Sequence, residues 1–173
     1  MMTLAIEGLV ALDDQEASDP LQSIVGNVGQ TVQVRMSAAR ALGQLTESGL
    51  VGLARDLVAQ TTRPAQNHPI HAVQLLRRHQ GADTIAQLSE ISKDDSTLVQ
   101  SEALGQLYRL DPAEIDRQRA RLVESPDVNV RRWCLKAMAD SKQSDRIPLI
   151  ASLLDDVNPG LRRAASSALV ELA

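Results

Sequence analysis

Apolar residues recur along this chain at spacings of three and four, the periodicity of a helix with one buried face. Val34, Ala38, Leu42 and Leu45 stand at i, i+4, i+8 and i+11. The twelve residues Val34-Arg35-Met36-Ser37-Ala38-Ala39-Arg40-Ala41-Leu42-Gly43-Gln44-Leu45 serve as a frame. The frame matches again from Met1, His68, Val99, Val130 and Leu161, with successive starts 33, 34, 31, 31 and 31 residues apart. Its fifth position reads Ala5, Ala38, Ala72, Ala103, Cys134 and Ala165, all small. Its ninth reads Leu9, Leu42, Leu76, Leu107, Met138 and Leu169, all long and apolar. Self-similarity at such a period marks stacked supersecondary units.

A second register competes, because Ala41 to Leu45 and Ala103 to Leu107 are the same five residues, offset by 62. The 65-residue offset is preferred, since it aligns Val99 with Val34 and continues to Val130 and Leu161. Between the framed helices lie shorter apolar segments, Leu50–Val58, Ile85–Ile91, Ile115–Val123 and Ile147–Leu154, each suited to a partner helix. Breakers stand where hairpins must turn, at Asp19-Pro20, Arg63-Pro64, Asp111-Pro112, Ser125-Pro126 and Asn158-Pro159-Gly160. Pro148 fits only in the first turn of its helix, after Ser144 or Asp145 as cap. The expected fold is therefore all-α, a right-handed α-α superhelix of about five and a half helical hairpins forming one domain over 1–173.

Several segments together resemble the HEAT repeats, in particular the short HEAT-like units of phycobilin lyases. They are Asp127-Val128-Asn129-Val130-Arg131, Val34-Arg35 with Ala38-Ala39 and Ala41-Leu42-Gly43, Arg146-Ile147-Pro148-Leu149-Ile150, and Asp155-Asp156 leading to Leu161-Arg162-Arg163-Ala164-Ala165. The likeness spans nearly the whole chain. It implies that Arg35, Arg131 and Arg162 form a ladder with acids and carbonyls of the turns, and that second helices such as Ile115–Val123 line a concave side. The third unit departs from the pattern, with His68, Pro69 and His79 in place of apolar residues. It is expected to be the weakest joint, and it follows the longest loop, Gln60 to Asn67.

Composition supports close-packed helices. There is no Phe, one Trp and one Tyr, too few aromatics for a β-sandwich or barrel. A single cysteine excludes an internal disulfide. The net charge of −4 lies in the first sixty residues, which hold three basic and seven acidic groups, and no basic excess marks a nucleic-acid binder. Neither a secretory leader nor a membrane span is expected, and the cytoplasm is the expected compartment.

Candidate chemistry is sparse. His68 and His71 have i, i+3 spacing, yet no third ligand and no His-Glu dipeptide accompany them, so neither a metal nor any other cofactor is expected. Cys134 sits in the small column and reads as a buried, inert thiol. Asp94-Asp95 and Asp155-Asp156 fall at helix boundaries and read as caps. Arg117 and Arg121 share one face at i, i+4, interleaved with Glu114, Asp116 and Glu124. Trp133 takes a column of mostly polar residues, which implies partial exposure, either as a partner anchor or with its ring flat on a neighbouring repeat. The expected partner-binding residues are Arg117, Arg121, Asp116, Arg146 and Trp133, and the expected partner is an acidic or amphipathic protein segment. The function expected is a non-catalytic interaction module, not an enzyme. The alternatives are an accessory lyase or chaperone-like subunit of the phycobilin-lyase type, a base-excision type of enzyme, and a regulatory domain of a larger protein that docks through its open carboxy-terminal repeat.

Overall fold

The structure, a computed structural model, describes residues 5–6, 8–9, 15–46, 49–59 and 68–172. Besides the helical residues 5, 6, 8 and 9, eleven α-helices and no strand occur among the described residues. They pack in neighbouring pairs, as the hairpin pattern requires. The Arg63-Pro64 breaker, the Gln60–Asn67 loop and most of the first framed segment from Met1 lie outside the described residues.

The chain divides into two compact units, residues 1–94 and 95–173. The first holds α1 (Ser18–Gly26), α2 (Val32–Leu45), α3 (Leu50–Ala59), α4 (His68–Leu75) and α5 (Ala82–Ile91). The second holds α6 (Thr97–Leu110), α7 (Pro112–Arg117), α8 (Arg119–Leu122), α9 (Val128–Ser141), α10 (Ile147–Ser152) and α11 (Pro159–Leu172).

Four framed helices, α2, α6, α9 and α11, are each 14 residues long and begin at 32, 97, 128 and 159. The 65-residue offset between α2 and α6 decides the register, and the shared pentapeptide is not structurally equivalent. The small column forms the core: Ala38, Ala72, Ala103, Cys134 and Ala165 are all 0% exposed. Ala5, in the same column, is exposed. Proline works as expected, with Pro112 and Pro159 opening α7 and α11 and Pro148 in the first turn of α10. Asp111 accepts from the Ala113 N–H, Asp127 from those of Asn129 and Val130, and Asn158 from those of Gly160 and Leu161.

Four expectations need correction. No side chain caps α10: the turn Ser144–Arg146 runs directly into it, with Arg146 at the cap position. The cap of α11 is Asn158 rather than the Asp155-Asp156 pair, and Ser96 rather than Asp94-Asp95 holds the cap position of α6. The expected helix Ile115–Val123 is broken at Gln118. There the Arg119 guanidinium takes the Asp116 carbonyl at 2.9 Å, and the Gln118 N–H closes a tighter turn on Ile115 at 2.9 Å. The third unit, whose sequence departs from the frame, has an α4 of only 8 residues, ending before the polar His79 that replaces the frame's last apolar position.

Glycine matters where helices touch. A Cβ on Gly43 would stand 2.3 Å from the Leu75 carbonyl oxygen, so α2 and α4 approach there too closely for any side chain. Gly43→Ala is expected to lower stability by about 1–3 kcal/mol in urea unfolding, because the obstructing atom is backbone and cannot turn aside. Gly52→Ala, in α3 with open space around it, is expected to raise stability by about 0.5–1 kcal/mol through helix propensity. Equal effects at the two sites would show that the contact does not constrain packing.

Candidate functional site

The arginines at the second frame position are bound to helix ends and turns of adjoining segments. Arg35 is 2% exposed, and its Nε donates to the Val25 carbonyl at 2.9 Å; burial lowers its pKa. Arg131 donates to both carboxylate oxygens of Asp156 at 2.7 and 2.9 Å and to the Ser125 carbonyl at 2.6 Å. Arg162 donates to the Asp156 carbonyl at 2.7 Å. Asp156 thus joins the α9 and α11 hairpins, and the Arg131 bonds hold its carboxyl below the ordinary range.

Among the expected binding residues, Asp116 and Arg146 pair with one another and are buried. Arg146 reaches the Asp116 carboxylate through Nε at 3.0 and 3.1 Å and through Nη2 at 2.6 Å, and also contacts Asp145. Both are under a tenth exposed, so this pair ties α7 to the turn before α10. Arg117 is exposed and bonded to Glu114 and Asp111, and Arg121 donates to Gln118 at 2.7 Å. The break at Gln118 places Arg117 and Arg121 on separate short helices, and local acids already compensate the Arg117 charge.

Trp133 is half-buried, and its ring rests on the preceding first helix. A Cβ on Gly105 would meet Cζ2 at 3.1 Å, and the Tyr108 ring lies 5.4 Å away between centroids, tilted by 39°. The Lys136 ammonium stands 4.4 Å from the Tyr108 centroid and 5.6 Å from that of Trp133. The Tyr108 hydroxyl donates to Asp140, and that bond with the neighbouring negative charge pushes the phenol up to about 12. The sequence reading left Tyr108 and Lys136 out of this cluster. The signal was available, for Tyr108 is the only other aromatic of the chain and Trp133 lies in the next framed helix.

Cys134 is fully buried, with its thiol 3.6 Å from the Arg119 carbonyl. Burial and the Asp116 charge push it up to about 12. The folded protein is expected to resist thiol reagents at pH 8, reacting only as fast as it opens. Rapid stoichiometric labelling of native protein would contradict that burial. His71 is buried, and no group of three or more His, Cys, Asp or Glu positioned for a metal occurs among the described residues. No helix among them is long and apolar enough to cross a membrane.

Helices paired in successive hairpins with a small-residue core and an arginine ladder define a HEAT-like helical-repeat fold. The chain is similar in structure to human deoxyhypusine hydroxylase, solved in complex with glycerol. The TM-score is 0.54 at 20% sequence identity, over 98% of this chain and 67% of that one. No protein-family model and no curated protein matches the chain. The likeness overturns one expectation. The expectation that the chain is not an enzyme fails, because a hydroxylase has this fold and the fold therefore does not exclude catalysis.

Proposed function

We propose that this chain is a HEAT-like repeat module, with the short repeat spacing of the phycobilin-lyase type, that holds a partner protein on a surface of its second unit. The observation supporting the reading is the placement of its aromatics. A chain that uses no Phe in its core keeps its single Trp and single Tyr together at a half-exposed site on α6 and α9. Trp and Tyr carry large contact area at low entropic cost and dominate binding hot spots.

The test is site-specific photocrosslinking in the native host, from a benzoylphenylalanine at exposed Ala164 on α11, beside α9, compared with one at exposed Gln33 in the first unit. A discrete protein adduct is expected from position 164 and not from 33, and Trp133→Ala should reduce it at least tenfold while circular dichroism shows retained helicity. Adducts equal at the two positions, or indifferent to Trp133→Ala, would remove the reading.

A further inference from the structure

From the charges around the aromatic pair, we infer that the partner segment is acidic and docks across the first-helix face formed by α6, α9 and α11. The inference rests on the reading of this face as a binding surface, and adds the chemistry of what it takes. Arg132 and Lys136 are both exposed and lie one turn apart on α9. Arg163, at the same frame position as Arg132 but 31 residues on, is exposed on the adjoining α11. None of the three makes an ion pair among the described residues: Arg132 donates to the neutral Asn129 amide, and Lys136 meets only the aromatic rings.

Four other cations of the unit are paired with acids. Arg117 is held by Asp111 and Glu114, Arg119 by Asp116, Arg131 by Asp156, and Arg146 by Asp116 and Asp145. Asp140 accepts from the Tyr108 hydroxyl and keeps its negative charge beside the ring, one acid against three cations. Three exposed cations without an ion pair among the described residues thus lie on the helices that carry and adjoin the aromatic pair. An amphipathic acidic segment matches both features, its carboxylates meeting Arg132, Lys136 and Arg163 and an apolar side chain covering Trp133 beside Gly105. Nucleic acid, the other polyanion, suits the face less. Its dense phosphates call for a broad basic excess, whereas this chain carries −4 overall, with Glu102 exposed on α6.

Trp133 is the one tryptophan, so its emission reports occupancy of this face. Full-length protein is titrated with three synthetic amphipathic helical peptides sharing the same apolar positions but bearing Glu, Gln or Lys on the polar face, and with a ten-nucleotide oligothymidylate. The Glu peptide is expected to bind at least tenfold more tightly than the Gln and Lys peptides, and more weakly as salt rises. Arg132→Glu with Arg163→Glu, which leaves the rings untouched, should abolish that preference, and Lys136→Gln should weaken it with unchanged melting. Arg117→Glu with Arg121→Glu should leave it intact. Equal binding of the Glu and Gln peptides, both lost in Trp133→Ala when followed by the fluorescence anisotropy of a label on the peptide, overturns the acidic partner while sparing the face. Preference for the Lys peptide, tighter binding of the oligonucleotide, or no emission change with any peptide also overturns it, and the crosslinking experiment then judges the face on its own.

Discussion

Arg131→Ala is expected to lower the free energy of unfolding by about 3–5 kcal/mol, the cost of removing one member of a buried charge pair. The sequence alone suggests about 1–3 kcal/mol, as for an ordinary side-chain bond. The geometry raises that figure, because Asp156 accepts two bonds from one guanidinium and its side chain is only 7% exposed. Without Arg131 its carboxylate is left buried between two hairpins. Urea unfolding measures the loss, and an effect below about 1 kcal/mol would show that the ladder does not join the repeats.

The same pair predicts a pH dependence with a definite sign. Asp156 titrates below its ordinary value of 3.8 in the folded protein, chiefly through the Arg131 bonds. Its contribution is therefore fully present above the unfolded value and is lost as pH falls through the folded one. Native stability should decline below about pH 4, and Asp156→Asn should flatten part of that decline. An acid limb identical in wild type and Asp156→Asn would assign the acid sensitivity to other carboxylates.

Asp116→Ala is expected to be comparably damaging in thermal unfolding, because Arg146 would keep its buried position with only Asp145 beside it. Replacing both partners with apolar residues, Asp116→Leu with Arg146→Met, should recover much of the loss, since no charge then remains buried. If the double replacement is as unstable as Asp116→Ala, the pair specifies the joint between α7 and α10 rather than merely compensating its own burial. Neither substitution is expected to alter peptide binding at Trp133 beyond the fraction of protein unfolded.

The repeat was legible because a helix that buries one face must repeat its apolar residues every three or four positions. Packing at the closest approach admits only small side chains, so Ala38, Ala103, Cys134 and Ala165 mark the core in the sequence itself. The turns were legible for the same local reason, since Asp111-Pro112 and Asn158-Pro159 satisfy the first N–H groups of the helix that follows. Charge was not legible in this way. Arg117, Arg131 and Arg146 look alike in a linear pattern, but which carboxylate each one meets depends on residues up to thirty positions away. The break at Gln118 was not legible either, since the apolar spacing of Ile115 to Val123 would continue the helix that the structure interrupts there. Tyr108 and Trp133, 25 positions apart, fall in successive framed helices, which the sequence shows, but their rings meet only because those helices stack with Gly105 between them, a contact that three-dimensional packing decides.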